Sequence, residues 1–243
     1  MKKNIMILAT TILASFGATA QKDPAVTEIY EPVPSHVIPG KDNSAPSDAI
    51  VLFSNGNLNE WESIKDNRPA EWTVSGGELT VKPGTGDIIT KKSFGDCQLH
   101  IEWRCPAEAK GEGQGRSNSG VLLQSLYEIQ VLDSYENKTY TNGQAGSVYK
   151  QYVPLANASS KPGEWNVYDI VFTAPRFGES GRIISPAYVT VFHNGILIQN
   201  HVPLWGGTEY IGLPVYRQHD KLPLRLQDHG DMISFRNIWI REL

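Results

Sequence analysis

The chain has 243 residues, of which 40% are hydrophobic, 20% charged and 9% aromatic. This composition is typical of a globular protein and excludes a disordered one, and the length fits one large all-β domain or at most two small domains. The formal net charge of −4 argues against nucleic acid as the main partner, because phosphate binding needs a basic surface. No apolar run after the first twenty residues reaches the ~18 residues that span a bilayer, so no membrane span is predicted.

Residues 1–20 have the pattern of a secretory signal peptide. Two lysines follow the initial Met, the stretch 5–16 is apolar and uncharged, and Ala-Thr-Ala at 18–20 is a small-residue cleavage site. We therefore expect an exported protein, periplasmic or extracellular, whose mature chain starts near Gln21.

The chain contains two cysteines, Cys97 and Cys105, at the two ends of one predicted strand. A continuous strand of that length separates them by about 26 Å, whereas a disulfide requires Cα atoms within ~7 Å. We expect two buried, free thiols.

The remaining chain begins with a leader and continues as short strands. Residues 21–48 hold five prolines and no periodic pattern, which predicts an extended segment draped over the domain of residues 49–243. Turn residues separate short apolar runs throughout that domain, as in a β-sandwich or barrel. The Asn-Gly pair at 194–195 predicts a tight hairpin, and 61–64 is interpreted as one helical turn. The predicted strands are 49–53, 72–74, 78–82, 87–90, 96–105, 119–124, 127–133, 165–173, 187–193, 196–200, 224–228 and 233–241.

Three of these strands carry a polar face with ionisable groups. Because side chains alternate across a strand, parity sorts each run into two faces. The polar faces are His100, Glu102 and Arg104 with Gln98; Glu128 and Gln130; and Arg225, Gln227 and His229. An ordinary solvated face is one interpretation. The residue types favour another, since acids, amides, arginine and histidine suit hydrogen bonds to hydroxyls and proton transfer.

Nine short phrases follow one another between residues 52 and 243: LFSNGNLNEW, WTVSGGELTV, QLHIEWR, NSGVLLQ, YEIQVLD, GSVY, KPGEWNVYDI, LQDHG and FRNIWIREL. Together and in this order they resemble the bacterial 3-keto-disaccharide hydrolase domain family. Two segments depart from the family pattern, the insertion 206–223 with its Pro214 and His219, and the Lys150-Gln151 pair after GSVY. Both lie in predicted loops and bear on the choice of substrate.

The resemblance implies an all-β, concanavalin A-like jelly-roll sandwich of two antiparallel sheets, with the sugar on the concave sheet. It also implies cleavage of glycosides whose sugar is oxidised at carbon 3, by proton abstraction at C2, loss of the C1 leaving group and net hydrolysis. Such a reaction needs a base, an enolate stabiliser and a proton donor. We expect Glu102 or Glu128 as the base, His229 as the acid or its relay and Arg104 beside the enolate oxygen. The residues expected to bind substrate are Asn118, Gln130, Gln227, Arg225 and His100.

Other interpretations remain open from the sequence. No cofactor is required, although His229 with Glu102 and Glu128 is a possible divalent metal site. A jelly roll is equally compatible with a non-catalytic carbohydrate-binding module. An ordinary retaining glucanase is disfavoured, because no E-x-D-x-x-E run supplies its two carboxylates. The partner is a glycoside or oligosaccharide in each enzymatic case, and no pattern assigns an oligomeric state.

Overall fold

The computed structural model describes residues 23–54 and 56–243, in which strands predominate. The predicted signal peptide lies outside the described residues. No helix within them is long and apolar enough to cross a membrane.

Short 3-10 helices occur at Pro24–Thr27, Gly113–Gly115 and Thr141–Gly143. The strands are β1 Ile50–Phe53, β2 Trp61–Ser63, β3 Thr73–Ser75, β4 Glu78–Thr80, β5 Ile88–Phe94, β6 Cys97–Arg104, β7 Ser119–Leu123, β8 Tyr127–Val131, β9 Asn166–Thr173, β10 Arg176–Phe177, β11 Ile183–Ser185, β12 Tyr188–His193, β13 Ile196–Pro203, β14 Leu222–Leu226 and β15 Ser234–Glu242.

The chain divides into two compact units, Met1–His36 and Val37–Leu243. In the described part of the first unit, the side chain of Asp23 accepts a hydrogen bond from the backbone N–H of Ala25 and caps the 3-10 helix that follows.

Two antiparallel sheets form the second unit. An eight-stranded sheet has the order β13-β12-β9-β6-β15-β4-β3, with β1 also paired to β15, and a five-stranded sheet has the order β2-β5-β14-β7-β8. Strands β10 and β11 form a separate hairpin. The predicted all-β jelly-roll sandwich is confirmed.

The core lies between the sheets and is filled by one face of each strand. On β8, Tyr127, Ile129 and Val131 join the buried apolar cluster, so Glu128 and Gln130 lie on the opposite face. The cysteines at 97 and 105 are buried in the same cluster and free, as predicted.

The hairpin between β12 and β13 has the predicted turn. Asn194 and Gly195 adopt φ of 51° and 78°, and His193 pairs with Ile196. Two consecutive positive φ values match the twist of the flanking strands, which explains the Asn-Gly pair.

The expected helical turn at 61–64 is wrong. Trp61 is fully buried, its indole N–H donates to the carbonyl of Leu52, and its backbone pairs with Thr90 of β5. Residues 61–63 are instead a strand paired with β5, and this tertiary pairing outweighs the local preference.

Residues 37–48 pack on the outer face of the eight-stranded sheet. The carbonyl of Asn43 accepts hydrogen bonds from Asn237 Nδ2 and Trp239 Nε1, each at 2.9 Å. Asp48 forms an ion pair with Arg241 at 2.7 Å. This half of the predicted leader is thus part of the second compact unit.

His193 is fully buried, and its burial predicts that the folded protein loses stability in acid. Burial lowers the pKa of His193 to about 4, below its ordinary 6.5. In the unfolded chain the imidazole therefore binds a proton at a higher pH than in the folded chain. The contribution of His193 to the free energy of unfolding is thus fully present above pH 6.5 and decreases as the pH falls toward 4. Relative to a His193→Gln variant, we expect the unfolding free energy of the wild type to fall by about 2 kcal/mol between pH 8 and pH 5. Urea unfolding at both pH values measures this difference, and parallel profiles would contradict it.

Candidate functional site

A cavity of about 730 Å³ lies on the face of the five-stranded sheet that points away from the core. Strands β7, β8 and β14 form its floor, and residues of the loops around these strands form its walls. It is lined by Gln114, Gly115, Asn118, Leu122, Ser125, Leu126, Glu128, Gln130, Tyr140, Tyr149, Thr208, Tyr210, Arg225, Gln227 and His229.

The pairing of residues across β8, β7 and β14 arranges the side chains on the floor of the cavity in two rows. In the first row Glu128 pairs with Leu122, which pairs with Arg225. Since neighbouring strands lie about 4.8 Å apart, the backbones at the two charged residues are roughly 10 Å apart, with the leucine between them. In the second row Gln130 pairs with Gly120, whose carbonyl accepts from the N–H of Gln227.

Glu128 is the buried ionisable group of this floor, with only 5% of its surface exposed. Burial raises the pKa of Glu128 to about 7, while the positive charge of Arg225 opposes that rise. A carboxyl group with this pKa exchanges protons readily near neutral pH, as a general base must.

Gly120 leaves the space that the Glu128 side chain occupies. A Cβ atom at position 120 would lie 2.8 Å from Glu128 Oε1 and 3.2 Å from its Cδ. Since real Cβ atoms do not approach other atoms so closely, any larger residue at position 120 must displace the carboxylate.

With Glu128 in its expected role as the base, a Gly120→Ala variant should lower kcat by about 10- to 100-fold, because small displacements of such a group have effects of this size. The melting temperature should change little, since the carboxylate is the end of a flexible side chain and can move. Gly178→Ala is the matched control, because its nearest atom, Ile184 Cδ1, would be 3.4 Å away. Equal kcat values for Gly120→Ala and the wild type would contradict the role of Gly120.

A network of amides holds the polar end of the cavity. Gln130 Nε2 donates to Gln114 Oε1 and Asn118 Oδ1, both at 3.2 Å. Asn118 in turn donates to the carbonyl of Gln114 and, from its backbone, to Asp231. These contacts fix the orientation of the Gln130 amide, whose buried Oε1 has no partner among the described residues.

Arg225 is held in place by Asp87 of the neighbouring loop. Its Nε donates to Asp87 Oδ2 at 2.6 Å, and the other carboxylate oxygen accepts from the N–H of Asp228. His229 follows directly and lies exposed at the rim. The ion pair restrains the guanidinium at the end of the row that starts with Glu128.

Tyrosines form the wall beside Glu128. The N–H of Tyr149 donates to the carbonyl of Glu128, and the hydroxyls of Tyr140 and Tyr149 are hydrogen-bonded to each other. Burial raises the pKa of Tyr149 above its ordinary value, so its phenol is protonated at neutral pH. Thr208 Oγ1 accepts from the N–H of Glu128 at 3.0 Å, and Tyr210 completes this wall.

The structure therefore brings together six of the predicted site residues: Glu128, His229, Asn118, Gln130, Gln227 and Arg225.

The expectation that Glu102, Arg104 and His100 share this face is wrong, because β6 lies inside the eight-stranded sheet. Glu102 accepts from Arg236 at 2.6 Å and from Asn237 at 2.9 Å. Although burial opposes ionisation, these hydrogen bonds hold the pKa of Glu102 below its usual value.

The other two residues of β6 are likewise engaged on that sheet. Arg104 pairs with Glu78 at 2.5 Å. The His100 ring stacks on Trp239 at 5.0 Å, and its Nδ1 lies 2.7 Å from Asp169. The suggested metal ligands Glu102, Glu128 and His229 are consequently not assembled, and within residues 23–54 and 56–243 no three His, Cys, Asp or Glu side chains form a metal-binding group.

Comparison with known proteins assigns the chain to a family. The model of the 3-keto-alpha-glucoside-1,2-lyase-like domain matches residues 48–241. The chain belongs to this family. A 3-keto-disaccharide hydrolase of Bacteroides thetaiotaomicron is 25% identical, with 80% of this chain and 78% of that protein covered.

Two solved structures from Parabacteroides distasonis are similar to this chain. A Parabacteroides distasonis protein provisionally assigned as a glycosyl hydrolase is 54% identical, has a TM-score of 0.88, and covers 91% of this chain and 97% of its own. A second protein from that organism with the same provisional assignment has 21% identity and a TM-score of 0.58, over 80% of this chain and 94% of its own, and shares the fold.

In this family member, the sequence did not predict several residues that line or support the cavity, among them Gln114, Tyr140, Tyr149, Thr208, Tyr210 and Asp87. These six lie outside the regular strands, where no parity assigns a face. The only sequence feature that pointed to the residues of the loops 106–118, 134–164 and 206–223 was the length of these loops, since long loops in compact domains are commonly functional.

Proposed function

We propose that the chain is a carbohydrate-active enzyme that cleaves 3-keto-glycosides in the cavity described above. Family membership and the resemblance to a protein of known structure that is provisionally assigned as a glycosyl hydrolase support an enzyme acting on carbohydrates. The observation that carries the finer proposal is Glu128, a buried carboxyl with a pKa of about 7 facing a polar cavity.

A ketone at C3 makes the hydrogen at C2 acidic, because its removal gives an enolate. Glu128 takes this proton, the electron pair of the C2–H bond forms the C1–C2 double bond, and the C1–O bond breaks. The leaving oxygen takes up a proton. Water then adds across the double bond, with hydroxide at C1 and a proton at C2, so the net reaction is hydrolysis.

Each polar group of the cavity has a role in this proposal. Arg225 replaces Arg104 as the cation beside the developing enolate oxygen, where a fixed positive charge stabilises the transition state. His229, exposed at the rim, is the proton donor or its relay. The amides of Gln130, Gln227 and Asn118 bind sugar hydroxyls.

The test is incubation of the purified protein with a 3-keto-glucoside and with its unoxidised parent. Cleavage of only the keto substrate supports the proposal, while binding of either sugar without turnover would favour a carbohydrate-binding module. We propose that no cofactor is needed, since Glu128 and Arg225 supply a base and a cation. Loss of activity on chelation, with recovery on adding Mn²⁺ or Zn²⁺, would overturn that part.

A further inference from the structure

The segment 206–223 and the Lys150-Gln151 pair, which the sequence analysis expects to depart from the family pattern, meet in the structure. Lys150 Nζ donates to the carbonyl of Tyr210 at 2.6 Å. Gln151 Nε2 donates to the carbonyl of Gly206 at 3.0 Å, and its Oε1 accepts from the N–H of Trp205 at 2.7 Å. The pair at 150–151 thus holds the first part of the insertion at both of its ends.

This segment, residues 205–210, runs beside the start of β8. Thr208 donates from its backbone N–H to the carbonyl of Leu126 at 2.8 Å, and its hydroxyl oxygen accepts from the N–H of Glu128. The amide network around Gln130 lies on the other side of Glu128 along the same strand. Glu128 therefore separates an amide-lined end of the cavity from an end walled by residues 205–210.

The two ends differ in the chemistry they present. The amide-lined end offers donors and acceptors that suit the hydroxyls and ketone of an oxidised sugar. The other end contains Leu126 and the ring of Tyr210, which is 70% exposed. An exposed aromatic ring offers an apolar surface on which a sugar ring face can stack.

Lys150 fits a role in holding this ring. Its ammonium lies 4.3 Å from the centre of the Tyr210 ring, within the range of a cation–π contact. In the described part of the chain it forms no salt bridge with a carboxylate. Its backbone has φ of 58°, a left-handed conformation that non-glycine residues adopt only when the surroundings require it.

We propose that residues 205–210, held by Lys150 and Gln151, form the subsite for the leaving group, and that Lys150 and Tyr210 determine its specificity. The inference rests on the proposed function. The substrate class is a 3-keto-glycoside whose leaving group is a second ring with an apolar face, as in a disaccharide, stacked on Tyr210. Lys150 acts as a positioning residue through Tyr210.

The experiment compares a 3-keto disaccharide with the methyl 3-keto-glucoside, which lacks the second ring. We expect Lys150→Met to raise KM for the disaccharide about 5- to 10-fold, with kcat changed less than twofold and both constants for the methyl glycoside unchanged. Lys161→Met is the matched control, since Lys161 lies over the Tyr135 ring at 5.9 Å, outside the cavity lining. Tyr210→Ala should give the same pattern as Lys150→Met, and its exposed ring can be removed without harm to the core.

The outcomes separate the two proposals. Equal changes in KM for both substrates, or no change for the disaccharide in either variant, would overturn the leaving-group subsite while leaving the proposed function intact. Failure of the wild type to cleave either keto substrate would overturn the proposed function, and the subsite with it.

Discussion

Replacement of Glu128 with glutamine is expected to lower kcat on a 3-keto-glycoside by about 10²- to 10⁴-fold, the usual contribution of a general base. Glutamine keeps the shape of the side chain but cannot accept the proton from C2. Binding should survive, because the amides proposed to bind the sugar are on other residues. Steady-state kinetics and titration calorimetry on the same preparation measure both effects.

The matched control is Glu102→Gln. This carboxylate is also buried, but it lies on the other sheet, in contact with Arg236 and Asn237. Its replacement should reduce stability and leave kcat within about twofold of the wild type. Loss of turnover in Glu102→Gln with retention in Glu128→Gln would reverse the assignment of the base.

The same Glu128→Gln variant is expected to be more stable than the wild type at pH 8. The pKa of Glu128 is about 7 in the folded chain against an ordinary 4.5, so folding favours the protonated form. The contribution of the protonated Glu128 side chain to the free energy of unfolding is fully present below pH 4.5 and is lost as the pH rises through 7. At pH 8 the wild type therefore holds an ionised carboxylate that the fold disfavours by about 3 kcal/mol, whereas glutamine is neutral at every pH.

Thermal unfolding of the two proteins at pH 4 and pH 8 measures this effect. At pH 8 the glutamine variant should melt several degrees higher, since ~1 kcal/mol corresponds to about 2–4 °C in a domain of this size. At pH 4 the two melting temperatures should be close. A variant that is less stable than the wild type at pH 8 would show that the ionised carboxylate stabilises the fold.

The alternation of polar and apolar side chains predicted most of the strands, whereas the jelly-roll architecture was expected from the family resemblance. Every strand predicted from the sequence has a counterpart in the structure, and the turn at Asn194-Gly195 is the one expected. Parity also placed Glu128 and Gln130 on one face, because a two-residue period is a local property of the backbone. The short strands β2, β10 and β11 were missed; periodicity alone is a weak signal in two or three residues, although β3 and β4 of the same length were predicted.

Parity does not tell which sheet a strand joins, and this explains the error at Glu102. The polar faces of β6 and β8 look alike in sequence, yet β6 pairs with β9 and β15 while β8 pairs with β7. Strand partners depend on contacts between distant parts of the chain. The same holds for Tyr149 and Tyr210, which reach the cavity from loops without a repeating pattern.

Burial lowers the pKa of His193 and raises that of Glu128, so folding changes the proton binding of these two groups in opposite directions. Near pH 6 the chain releases a proton at the buried imidazole as it folds and takes one up at the buried carboxyl. These two exchanges nearly cancel, so together they make the free energy of folding almost independent of pH between about 5 and 8. A carboxyl group can thus be kept partly protonated near neutrality for proton transfer without making the domain most stable in acid.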